Sequence, residues 1–174
     1  MRASQVSLAS IATLFLGLMS CASHASDRDP NHALDRELDK RELAQRVAPV
    51  KSKAELVLFN AYARHKGTPL ERMPAPARQR FLESLVFSET GLASFEYTDL
   101  MRNLTPGQIQ EVLAIFGAQH SVMAIPGYPP LAEAAGIRPP AGDGEYPVDY
   151  ADKVCSARAS CTPWSGGVCI GNNC

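Results

Sequence analysis

Four cysteines crowded into the last twenty residues constrain this chain more than any other feature. Cys155, Cys161, Cys169 and Cys174 have the spacing C-x5-C-x7-C-x4-C, and the segment they span contains one aromatic, Trp164, and one charged side chain, Arg158. Such material cannot assemble a hydrophobic core of its own, so covalent loops are expected to do what packing does elsewhere. Closing a loop of about 10 residues contributes roughly 2.5–3 kcal/mol in the chain-entropy account. Sequence allows three pairings. Pro163 and Gly166-Gly167 suggest a turn between the halves, which favours Cys155 with Cys169 or Cys161, and Cys174 with one of the remaining pair. Zinc is disfavoured because only the final x4 spacing suits a ligand pair, and a redox role because no C-x-x-C is present. No metal or cofactor is expected.

The fifth cysteine belongs to the other end. Met1-Arg2 precedes an uncharged, mostly apolar run from Val6 to Met19, which is short for a membrane span and suited to the core of an export signal. Two processing readings follow. Ser23-His24-Ala25 offers small residues for cleavage near Ser26, whereas Leu18-Met19-Ser20-Cys21 is like a lipoprotein box in which Cys21 would be lipidated. In either reading Cys21 is removed or acylated, leaving the four cysteines of the tail, and export together with an even count favours disulfides. The expected location is secreted, periplasmic or outer-membrane-anchored.

About 150 residues then remain, enough for one domain. Seventeen basic against eighteen acidic residues, a formal net charge of -1, provide no field for nucleic acid. A membrane is expected to be met only through a lipid anchor at Cys21.

Between the ends the reading is mainly α, with four to five helices. Asp29-Pro30 opens a charged surface helix that Pro49 stops. Ser52 and Glu55 form a capping box for a helix from Lys53 to about His65, with Leu56, Phe59 and Ala63 on one face. A third helix is expected from Ala77 to Glu89 and a short fourth from Ser94 to Arg102. Leu104-Thr105-Pro106-Gly107-Gln108 starts a fifth: Thr105 caps, Gln108 completes a capping box and Leu104 staples onto Ile109. Six prolines and four glycines between Ile125 and Pro147 indicate an arm, with a small helix at Leu131–Ala135 and with Tyr128 and Ile137 as anchors. The expected organisation is a signal at 1–25 (1–20 for a lipoprotein), a helical domain at 26–122, the Pro/Gly-rich arm at 123–147 and the disulfide-stapled cysteine-rich tail at 148–174.

Catalytic signals are sparse. His32, His65 and His120 read as exposed or cap residues, and no H-E-x-x-H, G-x-S-x-G or phosphate loop occurs. Ser165-Gly166-Gly167 lacks the strand-turn-helix setting of a nucleophile. Glu83, Glu89, Glu96 and Asp99 would serve a carboxylate hydrolase only if two of them met across a cleft. Asp143, Glu145, Asp149 and Asp152 do not match a calcium loop. More enzyme-free evidence comes from the tail, where Trp164, with Pro163 and Ile170 nearby, forms a candidate binding surface on a disulfide scaffold.

The layout resembles the bacteriocin fulvocin C-related proteins over residues 52–174, through Leu104–Gln108, the helix around Phe81-Leu82-Glu83 and the four cysteines. The resemblance implies an antibacterial or peptide-precursor role in which the tail is active and the helical part a leader, carrier or immunity-like scaffold. The resulting expectation is an exported bacterial interaction protein, with a protein or cell-envelope partner. A small envelope hydrolase and a structural envelope lipoprotein are the alternatives. Intact mass of the mature protein is expected to fall four hydrogens below the reduced value, and the same spectrum reports a start near Ser26 or an acylated Cys21.

Overall fold

The computed structural model describes residues 30–134 and 149–174. The export segment, Cys21 and the arm around Ile137 lie outside the described residues.

Helix α1 (Pro30–Val47) buries Glu37, Arg41 and Ala44 against the body, as does Ala48 just past its end, while most of its other charged side chains face water. Helix α2 (Lys53–Ala61) starts as its capping residues dictate, with the Glu55 amide donating to Ser52 Oγ at 3.2 Å. The Glu55 carboxylate accepts from the amide of Lys51 at 2.6 Å, one residue before the expected partner. A 3-10 turn at Pro69–Arg72 leads into α3 (Ala75–Glu83).

Here the mainly α expectation fails. After α3 the chain forms β1 (Val86–Ser88) and β2 (Gly91–Glu96), where the third helix was expected to continue and the fourth to begin. Helix α4 is confined to Thr98–Asn103. β2 is Gly-Leu-Ala-Ser-Phe-Glu, and Leu92 through Phe95 are all buried. Covered on both faces, it has no alternation of polar and apolar side chains to mark it as a strand.

Helix α5 (Pro106–Ala114) keeps its box, with the Thr105 amide donating to Gln108 Oε1 at 3.0 Å. Ile109, Val112 and Leu113 pack inward, and Phe116 just beyond the helix meets Phe81 edge-on at 6.1 Å between ring centroids. Gly117 turns the chain with φ +69°, and a side chain there would strike the Ala44 carbonyl oxygen and the Gln45 Cα, each at 2.8 Å. That close approach seats α1. A 3-10 turn (Gln119–Ala124) and α6 (Tyr128–Ala134) follow. Tyr128 anchors this region as expected, fully buried and with its hydroxyl donating to the Pro106 carbonyl at 3.1 Å.

The second correction concerns the end of the chain. β3 (Asp149–Ala157) and β4 (Ser160–Ile170) form an antiparallel hairpin, and the sheet order is β1-β2-β4-β3. β4 therefore lies between β2 and β3, with Ser94 opposite Cys169 and Phe95 opposite Val168. Val168, Cys169 and Ile170 are fully buried, so the helices provide the core that the segment lacks by itself. The fold is mixed α/β. Pro163 and Gly166-Gly167 sit inside a strand, and the turn is at Arg158-Ala159, with Ala159 at φ +56°. Pro163 is tolerated because β2 pairs only with residues 167–169 of β4, leaving the Pro163 portion unpaired on that side.

The disulfides are Cys155–Cys174 and Cys161–Cys169, the pairing that the expected turn disfavoured. The hairpin sets Cys155 across from Cys161, but the chain turns back after Ile170 and brings Cys174 over β3, where its carbonyl accepts from the Ala159 amide at 2.6 Å. Ile170→Ala is expected to cost about 2–5 kcal/mol, the range for a truncated core aliphatic. Urea unfolding of the oxidised protein measures it; a near-zero change would contradict the placement of β4 in the core.

Candidate functional site

Two places on the sheet gather polar side chains. The first is an open cleft of about 320 Å³ where α3, β2 and β4 meet, lined by Arg80, Glu83, Ser84, Phe95, Glu96, Val154, Trp164 and Gly167. Trp164 stands at its rim, 57 % exposed. The strand approaches it closely. The indole lies against Gly167, where an added Cβ would be 3.1 Å from Trp164 Cδ1 and 2.7 Å from the Lys153 carbonyl oxygen. One residue earlier, Gly166 adopts φ +85° and its amide donates to Asp152 Oδ1 at 2.9 Å. Asp152 is itself left-handed, at φ +52° in a bulge of β3, and also accepts from the Tyr97 hydroxyl at 2.9 Å. The Gly166 amide and then the Tyr97 hydroxyl hold the Asp152 carboxyl below its ordinary pKa. Burial, followed by the bond to Asp152, pushes Tyr97 up to about 12.

The carboxylates considered from sequence divide here. Glu83 and Glu96 line the one cleft. Asp99 instead takes Arg80 in a bidentate pair, from Nε at 2.9 Å and Nη2 at 2.8 Å. Glu89 is in the exposed β1–β2 turn. Pro163 is exposed beside Trp164, but Ile170 is fully buried and has no surface to offer a partner, which corrects its expected role. Among the described residues, the group with metal-ligand proximity is Cys155, Cys169 and Cys174, whose sulfurs lie within 4.8 Å of one another. All three are joined in disulfides.

The second place is a buried clasp that sequence reasoning missed. Arg41 of α1 reaches Asp149 at the start of β3, with Nη1 3.3 Å from Oδ2, and its Nε lies 3.6 Å from Glu37 Oε1. His120 Nε2 is 4.0 Å from the same Asp149 oxygen. Side-chain exposure is 9 % for His120 and 5 % for Asp149, so His120 is not the exposed loop residue expected. Burial, then the Arg41 charge, lowers His120 from 6.5 to about 3. Its Nδ1 has no hydrogen-bond partner among the described residues. Burial raises Asp149, and the Arg41 charge opposes that rise. A few residues along, Gln45 Nε2 donates to Asn173 Oδ1 at 2.6 Å, and Asn173 Nδ2 donates to the Leu92 carbonyl at 2.8 Å. Arg41 and Asp149 are 108 residues apart, and no local pattern links them.

No family model, curated protein or solved structure matches the chain.

His120 gives the clasp a pH signature. A histidine kept neutral in the fold takes up its proton more readily when unfolded, so its contribution is full above pH 6.5 and is lost as pH falls toward 3. Asp149, raised, acts with the opposite sign: its contribution is present below 3.8 and is lost as pH rises through its folded value. His120→Gln is expected to flatten the loss of stability between about pH 6.5 and pH 4.5, measured by urea unfolding at both. An unchanged slope would exclude His120 as its source.

Proposed function

We propose that this is an exported interaction protein that binds a protein or cell-envelope partner through the cleft and rim around Trp164. The observation that carries the reading is the exposed indole, fixed on a disulfide-braced strand beside a cleft with polar walls. Rigid aromatics at the edge of a pocket are the usual centres of binding energy, because little freedom is lost on contact. The two disulfides and the apolar run at Val6–Met19 support an oxidising compartment outside the cytoplasm.

A bacteriocin-like activity is the most concrete form of this reading, following the resemblance to the fulvocin C-related proteins. It is proposed for the whole folded chain. Release of residues 148–174 would take β3 and β4 from the sheet, and with them Val168 and Ile170 from the core.

A second reading has one observation in its favour. Glu83 and Glu96 share the cleft, as a small carboxylate hydrolase requires. It needs the cleft to accept a polysaccharide, with Trp164 as the platform for a sugar ring.

Trp164→Ala is expected to weaken co-sedimentation of the oxidised protein with bacterial envelope preparations at least about tenfold, the scale of a binding hot spot. Both disulfides should persist by intact mass. Equal retention of the variant would move the binding surface elsewhere.

A further inference from the structure

We propose that the Trp164 cleft receives a cationic side chain, a lysine ammonium or arginine guanidinium, presented by a protein partner. The inference rests on the reading that the Trp164 face binds, and it specifies the chemistry of the ligand.

The charge arrangement carries it. Three residues of charged type line the cleft, Arg80, Glu83 and Glu96, and Asp99 stands beside the first of them. Arg80 is matched by Asp99, which holds it through two hydrogen bonds of 2.9 and 2.8 Å. That leaves two carboxylates. Glu83 accepts from Gln79 Nε2 at 2.8 Å, a neutral donor. Neither Glu83 nor Glu96 forms an ion pair with a described residue; Glu96 acts on Arg80 only at a distance, adding slightly to the rise in its pKa. The one lysine of the hairpin, Lys153, lies over the Tyr150 ring at 4.8 Å from its centroid.

An indole face attracts a cation, and the attraction grows as water is excluded. Two acids beside that indole, against one arginine already held by Asp99, leave the cleft with a negative balance that gives the charge a destination and repels a carboxylate or phosphate ligand. The cleft's 320 Å³ suits one long side chain and is too small for a folded element. Gly167 lets the indole lie close to the strand, and Asp152 holds the amide of the adjacent Gly166. A neutral sugar bound without being cleaved would use the indole alone, whereas a cation uses the indole and both carboxylates.

Trp164 is the sole tryptophan in the chain, so intrinsic fluorescence reports on this cleft directly. The experiment titrates the oxidised full chain with tetra-arginine amide, with its neutral isostere tetracitrulline amide, and with a chitin-type oligosaccharide. The expected result is a saturable change with tetra-arginine alone. The affinity should fall several-fold between about 0.05 and 0.5 M salt. It should also fall at least about tenfold in Glu83→Gln/Glu96→Gln, a pair of changes on the cleft wall that leaves disulfides and core in place. Equal response to tetracitrulline, response to the oligosaccharide alone, or undiminished affinity in the double variant would overturn the proposal. No response to any probe also overturns it. The effect of Trp164→Ala on envelope binding stands apart from these results, so the failure of cation recognition is distinguishable from failure of the binding surface.

Discussion

The structure depends on β4 lying inside the sheet. A strand with Pro163, two glycines and two cysteines has little intrinsic tendency to be central, yet it pairs with β3 on one side and β2 on the other. Two constraints hold it there. Its last residues, Val168 to Ile170, are buried under the helices. The disulfides close loops of 19 and 8 residues, contributing about 3 and about 2.5 kcal/mol by restricting the unfolded chain. They act mostly within the hairpin, so the pairing of β2 with β4, separated by more than seventy positions, brings together a partner that is already narrowed in conformation. Packing and crosslinks therefore divide the labour along a single strand.

The two aspartates of β3 show how finely this placement sets the environment. Asp149 is enclosed between α1 and the 3-10 turn at Gln119–Ala124, and burial raises its pKa. Asp152, three residues on, is exposed and its pKa is lowered by an amide and a phenol. The first needs Arg41 for charge balance. Buried pairs of this kind contribute little net stability, because desolvation offsets the attraction, but losing one partner leaves a costly orphan charge. Arg41 and Asp149 are thus better understood as fixing where α1 sits on the sheet, together with the close contact at Gly117, than as a source of stability. Asp152 instead ties the bulge of β3 to Gly166 and Tyr97.

Local signals were legible wherever a few neighbouring residues decide the outcome. Ser52, Thr105, Gln108, Pro30 and Pro49 place helix ends because capping is a contest between groups within a single turn. That the four cysteines form disulfides and that Trp164 is exposed were legible as well, by spacing and by the scarcity of other material, although the pairing was not. β2 was not, because a strand buried on both faces has no period of two, and Phe95 and Leu100 mimic helical spacing across what is a strand and a separate helix. Pro163, Gly166 and Gly167 misled in a different way: their turn chemistry is real, but the bulge at Asp152 and the one-sided pairing of β4 absorb it inside a strand. His120, Arg41 and Asp149 illustrate the general limit. Each is unremarkable among its neighbours in sequence, and only the docking of α1 against the hairpin makes them a unit.

The integration of β4 also bears on what kind of function the chain can have. Trp164 and Ile170 are six positions apart on one strand, the first exposed and the second fully buried. A side chain gripping the indole would therefore pull on a strand whose other end is locked into the core and crosslinked at Cys161–Cys169. Little conformational freedom remains to be lost on binding, which favours affinity from a small contact area. The cleft walls come from α3 and β2 as well as β4, so the surface exists only in the assembled domain. A detached hairpin would keep its disulfides and its tryptophan, but it would lose Glu83, Glu96 and the packing that holds the indole at the rim.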